Sequence, residues 1–267
     1  MNAITEISGR RPLPLALGEH LAAFGCVGPE AARPIDAAAR AMSWAARLAD
    51  RSLGRSRAGA ATVAPDLEDL IRRMPTGGWS IGPDTARVLA TLFDAVRPRL
   101  VLEFGSGSST VLFAALCARM DEGARVVSLD ETETFATRTR GMLNALGLSQ
   151  RATIVVAPVV RRTIGDWTGR MYRPSEAAMR HALDGRRADL VFVDGPANWL
   201  GKRGDCRFGT LPAARAWAND GAVFAADDAL RPRDLEIVRR WGNLSFVDIE
   251  GIIPLGRGLA VGRLRPA

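Results

Sequence analysis

Five short apolar runs punctuate the chain after residue 79: "RLVLEF", "ARVVSLD", "ATIVVAP", "ADLVFVD" and "GAVFAAD". Each is rich in valine, leucine, phenylalanine or alanine, and helical segments separate them. Continuous apolar runs, rather than strict alternation with polar residues, mark strands buried on both faces. Strands that alternate with helices mark a parallel sheet covered on both sides. Ahead of the first run, "PDTARVLATLFDAV" predicts a helix with Pro83 and Asp84 at its start. "LSFVDIE" and "GLAVGRL" follow one another with only a Gly/Pro loop between them, which predicts an antiparallel hairpin closing the sheet. The expectation for residues 76–267 is therefore a doubly wound α/β domain with seven mostly parallel strands.

Residues 1–75 have a different pattern, rich in alanine and arginine with no convincing strand. Ile35, Met42, Ala45, Ala49 and Leu53 lie near helical spacing, and "DLEDLIRRM" predicts a shorter helix. The loop "RSRAGAATVAP" separates them. This helical N-terminal extension has several readings: a lid, a cap, a surface for a homodimer, or a helical layer over the core.

Composition narrows the function classes. Hydrophobic residues make up 47% and charged residues 24% of the 267, an ordinary globular balance. The formal charge is +7, but the cations are almost all arginine, with Lys202 the only lysine, and they are spread along the chain. No compact basic block with interleaved aromatics is present, so nucleic acid is not the expected partner. Cys26, Cys117 and Cys206 are far apart and form no C-x-x-C, which points away from zinc or a disulfide framework and toward a reducing, cytoplasmic compartment. Arg10-Arg11 and the apolar stretch after them have the outline of an export signal, but Glu19 and His20 interrupt it. No run reaches the length of a membrane span.

The chemistry lies at the strand ends. In an open α/β sheet, ligands bind outside the carboxyl ends of the strands. Here those ends carry acids: Glu103, Asp130, Asp194, Asp227 and Asp228. "VLEFGSGSST" supplies Gly105 and Gly107 of a dinucleotide fingerprint, but Thr110 stands at the third glycine position and Glu103 puts negative charge where a pyrophosphate should lie. A P-loop is excluded because no G-K-[ST] follows. A ligand with a positive centre, an amino-acid end and a ribose fits better. Glu103 favours a nearby ammonium or sulfonium, the glycines allow close backbone approach, and Asp130 can accept both ribose hydroxyls. That ligand is S-adenosylmethionine.

At this point the chain resembles the class I S-adenosylmethionine-dependent methyltransferases, whose fold is Rossmann-like. The resemblance rests on "VLEFGSGSST", "VVSLD", "ADLVFVDGP" and "GAVFAADDALRPRDLEIVRRW", with "GGWSIGPDTARVL" ahead of them, in order and spacing over residues 77–264. It implies that Glu103, Gly105 and Gly107 bind the methionine part, that Asp130 binds the ribose, and that Ser108, Trp79 and Asp194 also contact the cofactor. Where the family often has an acid facing the adenine, this chain reads "VVAPVV", and a backbone amide would have to replace it. "VDGPA" lacks the [DNS]-P-P-[YFW] pattern of enzymes that methylate amino groups, so the acceptor atom is expected to be oxygen. The substrate is expected to be a small molecule such as a sugar or a natural product.

Asp194, Asp227 and Asp228 have two readings. Their placement resembles the metal site of catechol-type and macrolide-sugar-type O-methyltransferases, which makes Mg2+ a candidate cofactor that would lower the pKa of a bound hydroxyl. Alternatively, Asp194 contacts cofactor or substrate directly, while Asp227 and Asp228 cap the next helix and pair with Arg231 or Arg233. Asp194 and Lys202 are the candidate catalytic residues, Lys202 as a base in the loop after the fourth strand. His181, Trp167, Tyr172 and Arg207 are weaker candidates: an exposed helix position, two possible pocket walls or packing groups, and a cation for an anionic substrate or a nearby acid. An RNA methyltransferase and a non-catalytic protein that uses the fold for assembly remain alternative readings.

Overall fold

The computed structural model describes residues 15–34, 63–74, 80–120, 123–197 and 205–266. The long helix expected around residues 35–53, Trp79 and Lys202 lie outside them. The N-terminal helices are α1 (Leu15–Ala23), α2 (Pro65–Arg73) and α3 (Pro83–Val96). Then follow β1 (Leu100–Phe104), α4 (Ser108–Met120), β2 (Arg125–Asp130), α5 (Glu133–Ala145) and β3 (Ala152–Val156). A hairpin, β4 (Val159–Ile164) and β5 (Trp167–Tyr172), leads to α6 (Glu176–Leu183) and β6 (Ala188–Val193). The chain closes with α7 (Thr210–Ala214), β7 (Ala218–Ala226), α8 (Pro232–Gly242), β8 (Val247–Ile253) and β9 (Leu259–Leu264).

The seven-stranded sheet runs in the order β3-β2-β1-β6-β7-β9-β8. Its first five strands are parallel, and β9 lies antiparallel between β7 and β8. This is the expected Rossmann-like sheet with its C-terminal antiparallel hairpin. Side chains alternate between two cores. Leu102, Phe104, Val191 and Val193 face one, and Val101, Val126, Leu190 and Phe192 face the other. A strand that feeds both cores has no solvent face, which is why these segments read as unbroken apolar runs.

The described parts of the N-terminal region join the second core. Leu17, Leu21, Phe24, Leu67, Ile71 and Met74 are buried in the same cluster as Leu89, Leu92 and Phe93 of α3. Arg87 of α3 clamps Glu68 of α2 with two hydrogen bonds, 2.9 Å from Nε and 2.7 Å from Nη2. Val27 bridges to Ile252 of β8.

The β4–β5 pair forms a separate two-stranded sheet that the apolar pattern does not reveal. Only Trp167, Met171 and Tyr172 are buried in it. Arg161 and Arg170 are exposed and directly opposed. The charged outer face hides the alternation on which strand prediction depends.

Candidate active site

Parallel register brings the acids together. Phe104 of β1 pairs with Val193 of β6, and Val193 pairs with Ala226 of β7, so Gly105, Asp194 and Asp227 follow in line at the carboxyl edge of the sheet. Each ladder continues one rung into the turns. Gly105 N donates to Leu129 O at 2.8 Å, Asp194 N to Phe104 O at 2.9 Å and Asp227 N to Val193 O at 2.9 Å.

Glu103 sits one residue before this edge and is fully buried. Its cross-strand neighbours are Ser128 of β2 and Phe192 of β6. Thr110, in the first turn of α4, donates to Glu103 Oε2 at 2.5 Å. The other oxygen, Oε1, has no hydrogen-bond partner among the described residues. Burial pushes the Glu103 carboxyl up to about 7, against the pull of the nearby Ser109, Thr110 and Ser128 hydroxyls. Ser128 Oγ, across the strand pair from Glu103, is itself without a hydrogen-bond partner among the described residues.

The loop after β1 separates the roles of the two glycines. Gly105 has φ +100°, and a Cβ there would lie 2.9 Å from Gly195 N. It is required by backbone geometry and by the close approach of the turn after β6. A Cβ at Gly107 would meet no atom within 4 Å. That space fits the close approach of a ligand to the backbone. Ser108 is buried, and its hydroxyl accepts from Ile81 N at 3.3 Å, which ties the start of α4 to the segment entering α3.

Asp130 ends β2 and is held by the glycine loop. Its Oδ2 accepts from Ser106 Oγ at 2.6 Å and Ser106 N at 3.1 Å, and its Oδ1 from Thr132 N at 3.0 Å. The amide of Ala157, within "VVAPVV", is already engaged with Asp130 O at 2.7 Å.

Asp194, Asp227 and Asp228 form one cluster, each offering a carboxylate oxygen within 4.8 Å of the others. Asp194 retains 18% side-chain exposure, whereas Asp228 has 2%. Burial and the Asp227 charge push the Asp194 carboxyl well above the usual carboxylate range, and Arg207 opposes them. Burial followed by the Asp228 charge raises Asp227 to about 6.

Three arginines enter this cluster. Arg207, 4% exposed, donates from Nη2 to Asp194 O at 2.7 Å and from Nη1 to Asp228 Oδ2 at 3.1 Å. It also faces Asp234 Oδ1 at 3.7 Å. Arg231 Nη1 lies 2.7 Å from Asp228 Oδ2, and Arg257 Nε pairs with Asp228 Oδ1. Of the two arginines expected to meet Asp228, Arg231 does so, while Arg233 is exposed. Arg207 meets acids, one of the two roles its position allows. Its central position was not legible from spacing. The signal that could have found it is the apolar flank of "CRFGTL", since Cys206, Phe208 and Leu211 are all buried.

Trp167 and Tyr172 are packing groups. Trp167 Nε1 donates to Asp205 Oδ2 at 2.8 Å and its ring packs on Phe208. Tyr172 packs on Phe104 and abuts Gly195. His181 is exposed on α6.

No family model and no curated protein matches the chain. Solved structures do. A methyltransferase from Podospora anserina bound to S-adenosylhomocysteine is 15% identical, with a TM-score of 0.58, and the match covers 82% of this chain and 96% of that one. An O-methyltransferase from Streptomyces achromogenes involved in tomaymycin synthesis, in complex with S-adenosylmethionine, is 18% identical with a TM-score of 0.53, covering 77% and 92%. An O-methyltransferase from Bacillus cereus in complex with S-adenosylhomocysteine is 16% identical with a TM-score of 0.53, covering 76% and 92%. At these identities the likeness is one of fold, and that fold is the Rossmann-like methyltransferase fold.

Proposed function

We propose that this chain is an S-adenosylmethionine-dependent methyltransferase acting on a hydroxyl oxygen of a small molecule, a sugar or a natural product. The observation that carries the reading is Glu103 Oε1: a buried carboxylate oxygen without a partner, on an acid that Thr110 links to Gly107 N and that lies on the same sheet edge as Asp130. A cationic amino-acid end supplies the missing donors, and a ribose meets the remaining acceptor capacity of Asp130. The structural neighbours crystallised with S-adenosylmethionine or S-adenosylhomocysteine support the same ligand.

The bound cofactor supplies an electrophilic methyl group on a positively charged sulfur. Glu103 holds the amino end and Asp130 the ribose, so the methyl donor is oriented before the acceptor arrives. Asp194, next along the edge and partly exposed, would take the proton of the acceptor hydroxyl, while the cofactor, when bound, would supply the methyl group to that oxygen and leave as the neutral thioether. A carboxyl whose pKa is raised is a stronger base than an ordinary aspartate, which favours this role. Lys202 is the second candidate base.

Asp194, Asp227 and Asp228 are the residues that would hold a magnesium ion. Three carboxylates are suitable donors for it. Arg207 and Arg231 pair with Asp228 Oδ2, however, and Arg257 ion-pairs with Asp228 Oδ1, which makes no hydrogen bond among the described residues, so the positive charge that a three-carboxylate metal site would receive is already supplied by guanidiniums and the set does not fit a metal in this arrangement. No catalytic step is assigned to a metal.

The buried positions of Leu17, Leu67 and Ile71 support the described helices of the N-terminal region as a cover on the domain of residues 76–267, and a homodimer surface would fall to their outer side. No helix among the described residues is long and apolar enough to cross a membrane. Three cysteines outside any disulfide fit a reducing, cytoplasmic setting.

The test is transfer of labelled methyl from S-adenosylmethionine to a panel of sugars, phenols and polyketide alcohols, with RNA as a control acceptor. Label is expected on a small-molecule hydroxyl, with turnover in Asp194→Asn reduced about 10²–10⁴-fold. Label on RNA alone would reject the small-molecule reading.

A further inference from the structure

We propose that Arg207 is the resident cation of the acidic pocket, standing where a carboxylate-held divalent metal would otherwise lie, so that the site works without one. The inference rests on the methyltransferase reading above and goes beyond it by assigning the positive charge of the pocket to the chain itself.

Oxygens surround the Arg207 guanidinium on every donor side. Nη2 donates to Asp194 O at 2.7 Å and reaches Asp194 Oδ1 at 3.5 Å. Nη1 donates to Asp227 O at 3.1 Å and Asp228 Oδ2 at 3.1 Å, and Nε to Pro196 O at 3.4 Å. Three main-chain carbonyls and two carboxylates match the planar fork of a guanidinium. The carbonyls belong to the turns after β6 and β7, the same turns that carry the candidate metal ligands. One side chain thus binds both turns at once.

Arg207 is also fixed from behind. Thr210 Oγ1 donates to Arg207 O at 2.6 Å, and the neighbouring Cys206 and Phe208 are buried. Trp241 Nε1 holds Phe208 O at 2.9 Å. The side chain is therefore anchored at its root as well as at its tip, and swinging it out would strand the Asp194, Asp227 and Pro196 carbonyls.

Asp228 is committed in the same way. Its φ of +65° lies in the left-handed region, which aspartate adopts more readily than most non-glycine residues. Arg207 and Arg231 pair with its Oδ2, and Arg257 ion-pairs with its Oδ1, which makes no hydrogen bond among the described residues. A divalent ion ligated by all three acids would have to break these pairs and sit against the guanidiniums that made them. Arg207 thus acts as a positioning residue. It fixes the Asp194 main chain and carboxylate at the sheet edge and supplies counter-charge to the acids.

The experiment uses the full chain and manganese as the probe. Wild-type protein is titrated with Mn2+, followed by electron paramagnetic resonance and calorimetry, and S-adenosylhomocysteine binding is measured with and without EDTA. The proposal expects no saturable Mn2+ binding in the millimolar range and cofactor affinity changed less than twofold by EDTA. Arg207→Ala, which takes the guanidinium away from the Asp194 and Asp228 carboxylates, is expected to gain saturable Mn2+ binding and a melting temperature that rises with Mn2+. Arg207→Lys keeps a positive charge and should gain neither. Saturable sub-millimolar Mn2+ binding by the wild type would overturn the proposal, as would a folded Arg207→Ala that gains none. If Arg207→Ala does not fold even with Mn2+, the wild-type titration decides alone: a flat response supports the proposal and a saturable one overturns it. Failure of the wild type to bind S-adenosylhomocysteine would instead remove the methyltransferase reading, an outcome separate from the metal titration.

Discussion

Thr110 Oγ1 donates a 2.5 Å hydrogen bond to Glu103 Oε2 while accepting one from Gly107 N at 2.9 Å. This relay links the buried acid at the end of β1 to the open glycine of the loop. It leaves Glu103 Oε1 without a partner, and the cost of burying that carboxylate makes it a receptor for positive charge.

The first prediction concerns pH. Glu103 rises from 4.5 to about 7 on folding, so ionising it costs the free protein stability that accumulates as pH rises between those two values. Glu103→Gln avoids that cost and should be more stable than wild type above pH ~8, by about 3 kcal/mol at most. The gap should close as pH falls toward the ordinary glutamate pKa. Ligand binding runs the other way. A cationic amino end needs the ionised form, so S-adenosylhomocysteine should bind about tenfold more weakly near pH ~6 than on the plateau above pH ~8. Glu103→Gln should flatten that profile and weaken plateau binding. Denaturant melts and calorimetry across pH check both halves.

The two glycines should separate folding from binding. Gly105→Ala forces a Cβ onto Gly195 N in a left-handed backbone and should cost about 1–3 kcal/mol of stability. Gly107→Ala meets no protein atom and should leave the melting temperature nearly unchanged while weakening S-adenosylhomocysteine. Equal destabilisation of both variants would remove the ligand role of Gly107.

Asp130→Ala removes the acceptor assigned to the ribose and releases Ser106. Loss of a charged acceptor for two hydroxyls should weaken cofactor binding about 10- to 100-fold. Asp130→Asn should fall between, because one amide oxygen still accepts. Adenine alone, which has no ribose, should bind the two proteins equally.

The sheet was legible because buried parallel strands leave a strong trace. "RLVLEF" and "ADLVFVD" have no solvent face to break the apolar run, and helix α3 begins at the expected Pro83. The acids at the strand ends followed from strand length and direction alone. The β4–β5 hairpin is hidden because Arg161, Arg162 and Thr163 interrupt the pattern, and its few buried residues, which pack on Phe104, Phe208 and Gly209, are too few to mark a strand. From the sequence, Arg207 is a cation for an anionic substrate or a nearby acid, with no particular acid assigned to it. Its partners at 194, 228 and 234 come from three different segments, and no local spacing encodes their meeting.

The measurement that tests the central claim most directly is calorimetric titration of the full chain with S-adenosylhomocysteine, beside Asp130→Ala. Micromolar binding to the wild type, clearly weakened in the variant, is the predicted result. No heat of binding to the folded wild type under any pH or salt condition would contradict the cofactor assignment, and with it the methyltransferase reading of the site.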